Sequence, residues 1–171
     1  MTAKDLTIHE YNPFYQTYIN KAQNVELKQG LRESFAYVFE FLNAIPEHKL
    51  EFRYAENKWT IKEVIQHVID AERIFSYRAL RIARQDQTPL PGFEENNYVS
   101  ASFANNRSRA ELLADYKAVR QATLSLFDSF TNDMLLQKGT ASNSPISVRA
   151  LGFITIGHEN HHCQIIKERY L

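Results

Sequence analysis

A single cysteine, Cys163, occurs in the 171 residues, so no internal disulfide can form and the chain reads as a protein of a reducing compartment. Glycine and proline are scarce, five of each. An all-β or doubly wound chain of this length carries more turn punctuation, which points to an all-α fold. An excess of one charge is also missing, since 20 basic side chains balance 20 acidic ones. Without surplus Lys and Arg, neither a broad nucleic-acid-binding face nor a polybasic membrane surface is expected. No run of about 18 apolar residues exists to span a bilayer. The opening MTAKDLTIHEYNP has no apolar stretch behind its lysine, hence no visible signal peptide. Phosphate-loop, dinucleotide-fingerprint, nucleophile-elbow and dithiol motifs are all lacking, so nucleotide, triad and dithiol chemistry have no support. These absences leave a cytoplasmic protein with one domain over residues 1–171, a length usual for a single core.

What is present is helical periodicity. Asn12–Pro13 reads as a cap followed by Pro at the first helical position, opening a short aromatic helix through Phe14, Tyr15, Tyr18 and Ile19. Asn24 reads as the next cap, before Leu27, Leu31, Phe35, Val38 and Leu42, a run that ends at Pro46. Thr60–Glu63 and Ser108–Glu111 are capping boxes that start two further helices. Pro89–Gly92 opens a connection to about Arg107, a loop is expected around Gly139–Ser144, and Ser147 caps a last helix running nearly to Leu171. Four amphipathic segments of about 20 residues predict an antiparallel four-helix bundle with a short extra N-terminal helix.

Four of the six histidines fall in the second and fourth long segments. At about 100° per residue, His158 and His162 lie about 40° apart, in the middle of the stripe formed by Leu151, Ile154 and Ile165. His161 falls at that stripe's margin. His67 lies beside Val64 and Ala71, so three imidazoles can converge inside the bundle. Buried imidazoles need partners, at a cost of about 1–3 kcal/mol for each group left unsatisfied. Two readings meet that need. Either the rings are core histidines bonded to backbone or carboxylate, or a divalent metal gathers them, since i, i+4 is a zinc-ligand spacing. Asp70 projects about 60° from His67, Glu159 about 100° and Cys163 about 140° from His158, so none of them suits a ligand position. His9 and His48 sit in polar surroundings and are expected to be solvated. Arg73, Arg78, Arg81 and Arg84, interleaved with Asp70, Glu72 and Asp86, read as a solvated face, with an anion-binding strip as the alternative.

Lys58-Trp59-Thr60-Ile61-Lys62-Glu63-Val64 with His67-Val-Ile-Asp70-Ala-Glu72-Arg73, then Leu90-Pro-Gly-Phe93 with Tyr98-Val99, then Gly157-His158-Glu159-Asn160-His161-His162 with Gln164-Ile165 occur in that order. Together they resemble the DinB-like (DinB/YfiT-like) superfamily over nearly the whole chain. The resemblance implies a four-helix bundle, commonly dimeric, with one divalent ion on His67, His158 and His162. It also implies chemistry on a small-molecule substrate, because relatives of known activity activate a low-molecular-weight thiol, as bacillithiol transferases and mycothiol-dependent isomerases do. Other relatives are described as hydrolases. A metal-dependent S-transferase is therefore the first expectation, with zinc or nickel as the ion. A metal-dependent hydrolase of a small ester, amide or phosphate and a metal-binding stress protein without turnover are the alternatives. His161 or Asp70 would orient a ligand, and Pro89–Tyr98 would line the mouth of the site.

Overall fold

The computed structural model describes all residues, 1–171. Two 3₁₀ turns, Ala3–Asp5 and Pro13–Tyr15, lead into α1 (Gln16–Asn20), and the Asn12 side chain caps this entry by accepting from the Phe14 amide at 2.9 Å. Then follow α2 (Leu27–Asn43), α3 (Ile61–Ala83), α4 (Glu95–Ser102), α5 (Arg109–Asp128) and α6 (Asn132–Leu135). A hairpin of β1 (Lys138–Ala141) and β2 (Ser144–Ser147) leads into α7 (Val148–Arg169).

The helix starts obey their sequence signals with one exception. Thr60 and Ser108 accept from the Glu63 and Glu111 amides at 3.1 and 3.2 Å, while both glutamates return a bond to the cap amide at 2.7 Å. Ser147 caps α7 through the Ala150 amide at 3.1 Å. Each such cap contributes about 1 kcal/mol. The exception is α2, whose cap is Glu26, accepting from the Gln29 amide at 3.1 Å, and not Asn24.

The four long helices α2, α3, α5 and α7 form the expected bundle, and cross-links between them fix its topology. Along α3, Arg73 pairs with Asp115 in the second turn of α5, and Ser76 Oγ, further along, reaches Thr123 Oγ1 at 2.8 Å, so these two neighbours run parallel. Antiparallel packing joins α3 to α7, where His67 meets His158 and Tyr170 Oη donates to Trp59 O. It also joins α2 to α5, where Arg32 pairs with Asp128 and Arg109 donates to Asn43 O. Helix α2 runs parallel to α7, with Tyr37 at Lys167. Alternation thus holds between α2 and α3 and between α5 and α7 but not between α3 and α5, so the four-helix bundle is as expected while its order departs from the antiparallel one at that pair.

A parallel pair requires a return crossing of the full helix length, about 35 Å for the 23 residues of α3. The chain from Arg84 to Ser108 makes that return. It is not the open connection expected from sequence, because α4 lies within it, anchored by buried Val99. The loop expected at Gly139–Ser144 is likewise replaced by the hairpin, which turns on Ser142 and Asn143, both at positive φ (51° and 61°). Two such residues are the requirement of a type I′ turn. The crossing is tied to the hairpin, since Leu90 N donates to Thr140 O at 2.9 Å and Ser142 N to Leu90 O at 3.0 Å.

Two apolar clusters fill the bundle. One contains Leu27, Leu31, Phe75, Phe127 and Ile154, the other Val38, Leu42, Val64, Tyr116 and Ile166. The layer between them is polar, and it contains the histidines.

Candidate metal centre

His67 sits two turns into α3, while His158 and His162 are one turn apart on α7. Because these helices are antiparallel neighbours, the three rings meet. His67 Nε2 is 3.0 Å and His162 Nε2 3.2 Å from His158 Nε2, and one ring nitrogen from each lies within 4.8 Å of the others. His67 and His158 are each 5% exposed. Burial, reinforced at His158 and His162 by the neighbouring imidazoles, lowers all three pKa values, that of His67 to about 4 and those of His158 and His162 well below the usual imidazole value. All three are therefore neutral at pH 7 and keep a lone pair to donate.

His158 Nε2 offers one proton or one lone pair, yet it faces two nitrogens. Hydrogen bonding cannot serve both contacts well, whereas a cation at their meeting point satisfies all three lone pairs. Three neutral imidazoles are a good donor set for zinc, nickel, copper or iron, so the residues fit a divalent ion.

Aromatic rings fix the imidazole planes. Trp59 packs on His67 with centroids 4.8 Å apart, Tyr18 stands edge-on to His158 at 5.2 Å, and Phe75 does so at 5.7 Å. Gly157 makes the Tyr18 contact possible, because a Cβ there would lie 1.9 Å from Tyr18 O. The glycine before His158 thus lets α1 cross α7 at the cluster.

Two clefts open onto the rings. The first, an aromatic cleft of about 360 Å³, has His67 and His158 in its wall together with Phe14, Tyr15, Phe93 and Glu94. The other, more open and about 410 Å³, has His161 and His162 with Lys58, Trp59 and Tyr170. Glu95 belongs to both. The crossing between α3 and α5 does line the mouth, as the sequence predicts for Pro89–Tyr98, and its contribution comes from Phe93, Glu94, Glu95 and Asn96.

A sequence model of the DinB superfamily matches residues 31–166. The chain belongs to the DinB superfamily. A relative from Oceanobacillus iheyensis, named "putative metal-dependent hydrolase", is 24% identical over 162 residues, 94% of this chain and 83% of that protein. YfiT from Bacillus subtilis, described as "a probable metal-dependent hydrolase with an unusual four-helix bundle topology", superposes with a TM-score of 0.75 at 16% identity, over 94% of this chain and 92% of that one. At that identity the likeness shows the fold.

In this DinB-superfamily chain the other sequence candidates stand apart from the three nitrogens. Asp70 accepts from Gln66 at 3.0 Å and Arg73 at 3.2 Å. His161 lies between Tyr18 and His162, ring centroids 5.3 Å from each, and its nitrogens are not in the cluster. Cys163 is buried in the second apolar cluster, where burial raises its thiol to about 12. His9 and His48 are exposed, as expected.

The solvated face expected on α3 is only partly present. Arg73 and Arg81 do pair with Asp115 and Asp86 near the surface, but Arg78 is buried, donating to Pro91 O at 2.7 Å and Ser142 Oγ at 3.1 Å. Glu72 is buried too, paired with a residue that sequence reasoning did not single out. Arg120, fully buried on α5, donates to both oxygens of Glu72 at 2.8 and 2.9 Å and to both of Glu159 at 3.0 and 2.7 Å. It also reaches Leu31 O and Ser34 Oγ on α2, and Tyr116 Oη donates to Glu159 at 2.6 Å. All four long helices are joined at this guanidinium, directly behind His158.

Proposed function

We propose that this protein is a metal-dependent enzyme in which His67, His158 and His162 hold one divalent ion, zinc or nickel, and which transfers a low-molecular-weight thiol to an electrophilic small molecule. The observation that carries the reading is the sharing of one neutral three-imidazole cluster between two clefts, with His67 and His158 facing one and His162 the other. Two openings on one centre suit two substrates. An ion bound there supplies Lewis acidity, which makes a thiolate or hydroxide available near neutral pH. Three protein donors favour turnover over a purely structural role, since structural zinc sites use four.

In this reading the chain itself does the following. Trp59, Tyr18 and Phe75 hold the rings in orientation, and the wall of the aromatic cleft excludes water from the reacting atoms. Glu95, the carboxylate common to both clefts, accepts the proton released by the thiol. Glu159 takes no part, because both its oxygens are engaged by Arg120 and Tyr116.

The names of the relatives favour a second reading, hydrolysis of a small ester, amide or phosphate, with water in place of the thiol. One experiment separates the two. Metal-loaded protein is given a panel of thiols with monochlorobimane, beside a metal-stripped control, and a panel of hydrolase substrates without thiol. Metal-dependent acceleration of a thiol's addition supports the transferase. Turnover only in the thiol-free arm replaces it with the hydrolase, and no turnover in either leaves a metal-binding protein.

A further inference from the structure

The cleft shared by His67 and His158 has a composition that selects among ligands. Phe14, Tyr15, Tyr18, Phe75 and Phe93 give it aromatic walls, and no lysine or arginine lines it. Arg78, the basic residue beside Phe93, has its guanidinium 6.0 Å from that ring's centroid and its hydrogen bonds already given to Pro91 O and Ser142 Oγ. The charged groups in the lining are Glu94 and Glu95, neighbours at the start of α4.

The two carboxylates differ in what they do within the protein. Glu94 caps α4, accepting from the Asn96 amide at 3.5 Å and its side-chain amide at 3.4 Å. Glu95 forms no hydrogen bond or ion pair within the chain. Burial first, and then the charge of Glu94, raise its pKa, while burial and the charge of Glu95 raise that of Tyr18. His67 and His158, both more than nine-tenths buried, look into the same space.

A pair of adjacent carboxylates repel each other and any anion that enters, and the repulsion is relieved by a cation. Aromatic faces attract cations as well, and their apolar area covers the hydrocarbon that carries the charge. The volume, about 360 Å³, suits a small organic molecule. We infer that the aromatic cleft takes an amine-bearing ligand, with an aromatic or branched apolar body against Phe14, Tyr15, Phe75 and Phe93 and a protonated amine against Glu94 and Glu95. As the identity of the electrophilic substrate, the inference rests on the proposed function. As a binding preference it needs no metal.

The test uses the full chain at pH 7.5, metal-free and zinc-loaded, titrated by calorimetry with three probes of similar size: 2-phenylethylamine, 3-phenylpropionate and 3-phenyl-1-propanol. In the metal-free form the amine is expected to bind at least tenfold more tightly than the acid, with the alcohol between them. Glu95→Gln is expected to cut that ratio at least fivefold, and the Glu94→Gln/Glu95→Gln variant to abolish it, with an unchanged circular dichroism spectrum. Equal or tighter binding of 3-phenylpropionate to the metal-free protein overturns the inference, and so does a ratio that survives there in the double variant. Zinc uptake is measured on the same samples. If zinc fails to bind while the amine preference holds, the proposed function fails and the cleft assignment stands. If zinc binds without the preference, the cleft assignment alone fails.

Discussion

Arg120 offers the most demanding test of how this bundle holds its histidines in register. Its five N–H groups make six hydrogen bonds, four of them to the carboxylates of Glu72 and Glu159, and the residue is 0% exposed. Arg120→Met keeps most of the volume and removes every donor. Two carboxylates then face each other in the interior without a counter-charge, in a region where burial and Glu72 already push Glu159 upward against the pull of Arg120. Breaking a buried ion pair by deleting one partner costs about 3–5 kcal/mol. For a chain of this length that corresponds to a fall of about 10–15 °C in Tm. Urea unfolding at pH 7 measures it directly. The cause is tested by the triple variant Arg120→Met/Glu72→Gln/Glu159→Gln, which should recover more than half of the loss, because buried charge and not lost volume is responsible. Since Glu72 shares α3 with His67 and Glu159 adjoins His158, the single variant should also bind zinc at least tenfold more weakly than wild type at a temperature where both are folded. A single-variant cost below about 1 kcal/mol, or a triple variant no better than the single, would refute the argument.

Three further outcomes are expected. Gly157→Ala puts a methyl group into the Tyr18 backbone, so α1 must lift off α7, with a loss of about 2–3 kcal/mol in denaturant melts; an unchanged midpoint contradicts the close crossing. Burial acts to raise the Glu10 pKa, but hydrogen bonds from Arg149, the Thr7 amide and Ser147 outweigh it and bring the value from 4.5 to about 2. A depressed carboxyl stabilises the fold fully above its unfolded pKa and loses that contribution as pH falls through the folded one. About 3 kcal/mol should therefore disappear between pH 5 and pH 2, and Glu10→Gln should be less stable than wild type at pH 6 but nearly equal to it at pH 2; parallel pH profiles would exclude this. His158→Ala should strip the purified protein of stoichiometric metal by elemental analysis, since His158 Nε2 adjoins both other donors; equal metal in both proteins removes the centre from these residues.

The sequence disclosed the parts of this molecule that depend on local spacing. The capping residues Asn12, Thr60, Ser108 and Ser147 satisfy amides within three residues of themselves, and His158 and His162 share a face because helical geometry requires it. What escaped depends on how the helices are packed. Glu72 reads as a surface charge only if α3 has a free face, but α5 and α7 both pack on α3, and Lys62, Gln66 and Arg78 are buried along with it. A helix enclosed on most sides cannot be split into polar and apolar halves, so its polar residues must find partners inside, and Glu72 finds Arg120. The direction of α5 left one legible trace. Residues 84–108 form a connection far longer than the 2–8 residues that join antiparallel neighbours in bundles. That length is what a parallel α3–α5 pair demands, and the returning chain passes over the histidines. The same topological requirement therefore accounts for both the crossing and the lid of the cleft, including Glu94 and Glu95, whose role no local pattern announces. A carboxylate at the start of a short, weakly amphipathic helix acquires significance only through what lies beneath it.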